Sequence, residues 1–279
     1  MSNQTRKPSG VIELTVARTE RLTPHMIRVV LTGPGLDDFR DNGFTDRYVK
    51  LLFAPPGVEY PEPFCLDDIQ RDRPRDQWPV RRTYTVRRFD RVLDEMHIDF
   101  VHHGDAGIAG PWAAAAKPGD VLRMLGPGGA YAPREDADWH LLVGDESAIP
   151  AIGAALERMP DDSIVKVIIQ VDNEDEEQKL SGCPHADFTW LYRDDAETSN
   201  PRDELVDAVR LVEFPPGVGH FFVHGEAETV MKRIRPILIK ERGIDKSQLS
   251  LSGYWRLGDT DEAFRSWKAK EKATAVNGG

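Results

Sequence analysis

The chain has 279 residues, enough for two domains of ordinary size. Its 47 acidic residues outnumber the 36 basic ones for a formal charge of −11, which argues against a nucleic-acid or anionic-membrane surface. Cys65 and Cys183 stand far apart with no Cys-x-x-Cys partner, so they build neither an iron–sulfur cluster nor a zinc site, and redox chemistry has to come from a bound organic cofactor. Residues 1–10 are polar, without the apolar core of a signal peptide, and no later run is long enough to span a membrane. The chain therefore reads as cytoplasmic, and with no metal ligands.

Short alternating or apolar runs dominate the first half: Val11 to Val16, Met26 to Leu31, Val49 to Phe53, Thr83 to Val86, Glu95 to Val101 and Val121 to Leu125. Turn formers separate them, notably Gly33-Pro34-Gly35 and Lys117-Pro118-Gly119-Asp120. Six such strands predict a small antiparallel β-barrel over residues 1–134. Pro55 to Pro79 is rich in Pro, Asp and Arg without a period and reads as a long surface loop. His102 to Ala116 reads as a glycine-rich turn entering a short alanine helix, and Gly126 to Ala130 as a tight turn ending the barrel.

Residues 133–138 are a charged linker, after which strands and helices alternate. Strands are predicted at His140 to Gly144, Val165 to Val171, Phe188 to Tyr192, His220 to Gly225 and Leu249 to Gly253. Between them lie an amphipathic helix from Ala151 to Arg158, a helix from Glu204 to Leu211 and a long one from Glu228 to Arg242. This βαβ texture predicts a parallel α/β sheet over residues 139–258, with a dinucleotide-sized cleft at the strands' carboxyl ends. No Gly-x-Gly-x-x-Gly is present, so the common phosphate grip of such folds is absent. Residues 259–279 are expected to form a charged helix and tail, with Phe264 and Trp267 docking it.

The stretch Arg81-Arg82-Thr83-Tyr84-Thr85-Val86-Arg87-Arg88 carries the most chemistry. Alternation puts Arg82, Tyr84 and Val86 on one face and Thr83, Thr85 and Arg87 near the other. Such a strand is more often a solvated sheet edge, but it can also hold an anionic, planar ligand. In the second case arginine pairs with a pyrophosphate, tyrosine covers a ring, and threonine reaches a ring heteroatom. The carboxylates at Asp172, Glu174, Asp175, Glu176 and Glu177 follow the second strand of the α/β half. Beside a ribose they would accept its 2′-hydroxyl and repel a 2′-phosphate, whereas Arg193 would pair with that phosphate; a solvated acidic loop fits the same residues.

Arg82-x-Tyr84-Thr85 resembles the Arg-x-Tyr-Ser/Thr flavin motif of the ferredoxin-reductase superfamily. Tyr-Val-Lys50-Leu-Leu-Phe and the Arg-Thr-Tyr-Thr-Val-Arg-Arg-Phe-Asp stretch resemble, more narrowly, the siderophore-interacting proteins, which are flavin-dependent ferric-siderophore reductases. His103, Gly104, Gly107, Ala109 and Trp112 match that family's diphosphate loop, which implies FAD rather than FMN. Leu-Val-Gly144-Asp145-Glu146-Ser147, His-Gly225-Glu226 and Gly253-Tyr254-Trp255-Arg256-x-Gly258 match further signatures, in the family's order across residues 11–260.

The resemblance implies roles residue by residue. Arg82, Thr83, Tyr84 and Thr85 would hold the flavin, with Thr85 nearest N5 and catalytic. His103, Gly104, Gly107, Ala109 and Trp112 would take the diphosphate side. Gly144, Asp145, Glu146, Ser147, Gly225 and Glu226 would border the cleft for NADH or NADPH. Lys50 and Arg256 would draw an anionic ferric siderophore; a further basic position expected shortly after Arg256 is Asp259 here. The expected protein is a cytoplasmic monomer with no nucleic-acid or membrane partner. Two rivals stand beside it: a flavin reductase or diaphorase on the same scaffold, and a siderophore-binding protein without catalysis.

Overall fold

The computed structural model describes residues 10–193, 202–258, 264 and 267. These fall into two compact units that divide between Ala130 and Tyr131.

In the first unit, β1 (Val11–Thr23), β2 (Met26–Thr32), β3 (Tyr48–Phe53), β4 (Val80–Asp90), β5 (Glu95–Val101) and β6 (Val121–Gly128) close a barrel in the order β1-β2-β5-β4-β3-β6. Every pairing is antiparallel. The period-2 pattern turns Ile12, Leu14 and Val16 inward to meet Val29, Leu31, Val49, Leu51, Ile98 and Phe100. β1 runs past its predicted end to Thr23 through register shifts at Ala17 and Leu22, which let one strand curl around the barrel.

Two expectations are corrected here. The stretch from Pro55 to Pro79 is not a featureless loop: it contains α1 (Leu66–Asp72), which buries Leu66 and Ile69. Arg123 pins that segment, bonding Glu62 at 2.5 Å and lying 4.6 Å over the Phe64 ring. Gly126 to Ala130 is not simply a turn, because β6 continues to Gly128, opposite Tyr48. A side chain at Gly128 would collide with the Tyr48 ring, so glycine is what lets the strands close there. The short helix α2 (Ala109–Ala115) follows the turn after β5.

In the second unit, β7 (Trp139–Asp145), β8 (Val165–Val171), β9 (Asp187–Tyr192), β10 (Gly219–Glu226) and β11 (Leu249–Trp255) form an all-parallel sheet ordered β11-β10-β7-β8-β9. Every residue of β7 and β10 is buried, as befits central strands covered on both faces. The helix α3 (Ile149–Leu156) differs from the amphipathic expectation: all its residues are buried, and its Ala and Ile positions face core on every side. The helix α4 (Arg202–Leu211) follows β9. The long helix is present over residues 227–241 but is widened, with π-helical turns at Thr229–Ile234 and Ile237–Glu241. Pro236 between them brings no N–H to the ladder, and the N–H of Arg242 reaches back five residues to the Ile237 carbonyl.

The helix expected from Asp259 to Lys272 lies outside the described residues except for Phe264 and Trp267, which are helical with rings stacked 5.8 Å apart. Among the described residues, no helix is long and apolar enough to cross a membrane.

One cross-strand pair anchors β2 to β5. Arg28 Nε and Nη2 donate to Asp99 Oδ1 and Oδ2 at 2.7 and 2.8 Å, directly opposite in register. The Asp99 side chain is only 1% exposed. Arg28→Ala strands that carboxylate in the barrel wall and is expected to cost about 3–5 kcal/mol in urea unfolding, with Asp99→Leu added to it restoring much of the loss. A cost below about 1 kcal/mol would mean the pair behaves like a surface one.

Candidate functional site

The barrel is not sealed evenly around β4. Val80 to Thr85 pair with β3, but β5 joins β4 only from Val86 onward, across a register shift at Arg87. On the β5 side, residues 80–85 therefore border a seam. The Val86 N–H donates to Arg47 on the β3 side at 2.8 Å. Backbone alternation then turns the N–H groups of Thr83 and Thr85 the other way, into the seam.

Side chains sort by the same alternation. Lys50 stands directly across from Thr83, and Tyr48 across from Thr85, each pair on a shared face. Among the described residues, no hydrogen bond or ion pair engages the side chains of Lys50, Arg81, Thr83 or Thr85. On the opposite face, Arg82 donates from Nη1 to the Arg81 carbonyl at 3.0 Å. Tyr84 lies against Phe100 with ring centroids 4.4 Å apart. Trp112 continues this aromatic row, 5.8 Å from Phe100 and 5.6 Å from Phe53.

The loop after β5 leaves His103, Gly104 and Gly107 exposed, with His103 beside His25 at 6.0 Å. Gly104 and Gly107 adopt φ of +63° and +80°, a backbone that glycine takes without strain, and nothing lies within 4 Å of where a β-carbon would stand on either. Ala109 is different: it is buried in the barrel core, and its part is to seat α2. Trp112 likewise spends its ring on packing. An open strand edge, unpaired cations, an aromatic row and a bare glycine loop are what a planar, anionic cofactor needs, and this unit supplies all of them.

In the second unit, strand order reverses between β7 and β10, and such switch points, at the strands' carboxyl ends, are where sheets of this kind bind ligands. Asp145 closes β7 there and is fully enclosed. Its Oδ1 accepts from the Ser147 N–H at 3.0 Å and from Ser147 Oγ at 2.5 Å. Its Oδ2 accepts from the Glu226 N–H and from Trp255 Nε1, both at 2.8 Å. Burial pushes the Asp145 carboxyl above its usual pKa range against the pull of these donors. Expected at the dinucleotide, Asp145 has both oxygens filled by protein donors; it gives the crevice the position of its neighbours. Gly225 sits at φ +152°, and a β-carbon there would come within 2.7 Å of Asp145 Oδ2.

Glu226 extends the network, its Oε2 accepting from the Thr229 N–H and hydroxyl at 2.8 and 2.9 Å and its Oε1 from the Leu257 N–H at 3.3 Å. Burial pushes the Glu226 carboxyl up, but these hydrogen bonds outweigh it and leave it below its usual range. Glu146, nearly buried, pairs with Arg193, which also bonds Asp172 at 2.6 and 2.9 Å. Arg256 lies 5.3 Å over the Trp267 ring and lines a cavity of about 260 Å³ with Glu228 and Lys232. Sequence reasoning did not single out Trp255 or Lys232. Trp255 lies within a quoted motif, yet its bond to Asp145 spans 110 residues and left no local signal.

Two family models match the chain, one described as "Siderophore-interacting FAD-binding domain" over residues 15–131 and one as "Siderophore-interacting protein" over residues 137–258. The ferric vibriobactin reductase ViuB of Vibrio cholerae is 32% identical over 90% of this chain and 91% of its own. An Escherichia coli protein named NADPH-dependent ferric-chelate reductase is 30% identical over 91% of this chain and 99% of its own. The crystal structure of a siderophore utilization protein from T. fusca superposes with a TM-score of 0.75 at 36% identity, covering 90% of this chain and 94% of that one.

The Asp145 network makes a graded prediction. Asp145→Ala leaves the buried Glu226 N–H and the Trp255 indole N–H without an acceptor and is expected to cost about 2–4 kcal/mol by denaturant unfolding. Trp255→Phe removes one donor while Glu226 still serves Oδ2, and should cost about 1 kcal/mol. Equal losses in the two variants would contradict the carboxylate's place at the centre.

Proposed function

Because the chain belongs to the siderophore-interacting protein family, we propose that it is a cytoplasmic, monomeric NAD(P)H-dependent ferric-siderophore reductase that uses FAD. The observation that carries this reading is the seam beside β4, where the Thr83 and Thr85 N–H groups face an open edge, with Lys50 on the adjoining β3 and Arg81 on β4 lacking carboxylate partners among the described residues. Relatives named as a ferric vibriobactin reductase and a ferric-chelate reductase, similar over nearly their whole length, support the substrate class.

FAD, when bound, accepts a hydride from a nicotinamide and passes single electrons to Fe(III). The protein's part is binding, orientation and electrostatics. Thr85 offers its N–H and hydroxyl to the flavin ring beside N5. Tyr84 borders the ring from the aromatic row, and Arg82 reaches for the diphosphate with a charge-assisted bond. The exposed N–H groups of Gly104 and Gly107, with His103, serve the same diphosphate. Gly144, Ser147 and Gly225, positioned through Asp145, border the nicotinamide crevice. Lys50 and Arg256 each contribute positive potential that draws an anionic chelate into an otherwise acidic protein.

Arg82→Ala is expected to weaken flavin retention by about 1.5–3 kcal/mol, whereas Thr85→Ala retains flavin and slows its reduction in stopped-flow. Flavin released by heat should run as FAD on chromatography; FMN alone would remove the role of the Gly104–Gly107 loop. Lys50→Ala should lower the reduction rate of ferric tris-catecholates, near −3 in charge, more than that of nearly neutral tris-hydroxamates, and high salt should erase the difference. Catecholate rates indifferent to both the substitution and salt would refute the basic-pocket assignment.

A further inference from the structure

We propose that Asp172, held in place by Arg193 and Glu146, receives the adenosine ribose 2′-hydroxyl of the electron donor and makes NADH the preferred nicotinamide; this rests on the reading of the second unit as the donor site. The argument begins with topology. In a doubly wound sheet, the strand beside the central one carries the adenosine ribose at its carboxyl end, and an acidic residue there accepts the 2′-hydroxyl. β8 lies beside β7 and ends at Val171, so Asp172 occupies that position.

Arg193 is the side chain that would reverse this preference, because an arginine near the ribose welcomes a 2′-phosphate. Val171 and Tyr192 pair in register, and the Arg193 N–H donates to the Val171 carbonyl at 3.0 Å. Asp172 and Arg193 therefore leave adjacent strand ends together. The Arg193 guanidinium is turned onto Asp172 Oδ1, from Nε at 2.9 Å and Nη2 at 2.6 Å, and Nη2 also meets Glu146 Oε1. Among the described residues, one positive charge thus faces two carboxylates. Glu174, Asp175 and Glu177 follow within the next turn and deepen the field.

The cluster is reachable: the side chains of Asp172 and Arg193 are 30% and 24% exposed. Glu146, at 8%, is the buried end that holds Arg193 back. A 2′-phosphate arriving here has to displace carboxylates from Arg193 and enter a negative field, at the cost of a buried, newly unpaired Glu146. A 2′-hydroxyl needs only a carboxylate to donate to. Arg193 is thus a positioning residue for Asp172.

The test is calorimetric titration of the full-length flavoprotein with ADP-ribose and with 2′-phospho-ADP-ribose, which reads binding apart from turnover. ADP-ribose should bind tighter by roughly tenfold, the worth of one charge-assisted hydrogen bond. The near-isosteric Asp172→Asn should narrow or invert that ratio by about the same factor, with the NADH-to-NADPH ratio of kcat/KM following it. Tighter 2′-phospho-ADP-ribose binding by the unaltered protein, abolished in Arg193→Gln, would overturn the inference and leave the donor site standing. Binding of neither nucleotide would overturn the donor-site reading, and the inference with it.

Discussion

A carboxylate enclosed in protein is tolerable only when its lone pairs meet donors, and Asp145 meets this condition with four. Those donors come from the loop after β7, the end of β10 and the end of β11. One charge therefore fixes three strand ends around the crevice of the parallel sheet. Neighbouring residues are constrained in turn: Gly225 has no room for a β-carbon beside Oδ2. Glu226, held by its own N–H to Asp145, can then accept from Thr229 and Leu257 and tie the widened helix and the segment after β11 to the same point.

The barrel solves the opposite problem. Closing six strands needs continuous pairing, yet a planar cofactor needs an accessible backbone. The register shift at Arg87 reconciles the two by pairing β4 with β5 over only its second half. Aromatic packing of Tyr84, Phe100 and Trp112 fills the wall where the ladder is missing.

How much of this was legible in the chain depends on the range of the signal. Alternation at Val11 to Val16 or Glu95 to Val101 is local and strong, and the barrel and the parallel sheet follow from it. The helix at Leu66–Asp72 has only two buried residues, Leu66 and Ile69, amid Pro, Asp and Arg, so no period betrays it. The helix α3 looked half-polar only because Glu157 and Arg158 were counted with it; its body is Ala and Ile, buried throughout. Site motifs were readable as residue types, but their division of labour was not. Nothing local tells that Asp145 is saturated, that Ala109 and Trp112 pack inward, or that Arg193 is already claimed by Glu146 and Asp172.

The acidic composition gives the few uncommitted cations their leverage. In the barrel unit, Arg18, Arg28, Arg47, Arg71, Arg88, Arg91 and Arg123 each meet a carboxylate, so their fields are largely cancelled at short range. Lys50 on β3 and Arg81 on β4, neighbouring strands, meet none among the described residues. An exposed ion pair contributes little stability, so withholding a partner from these two costs the fold almost nothing. It leaves their positive potential uncancelled next to a strand whose Thr83 and Thr85 N–H groups lack a strand partner. The arrangement at Arg193 is the inverse, a cation held by two carboxylates at a strand end. Cations in one acidic chain thus stand in opposite settings: Lys50 and Arg81 keep their field, whereas that of Arg193 is cancelled by the carboxylates it meets.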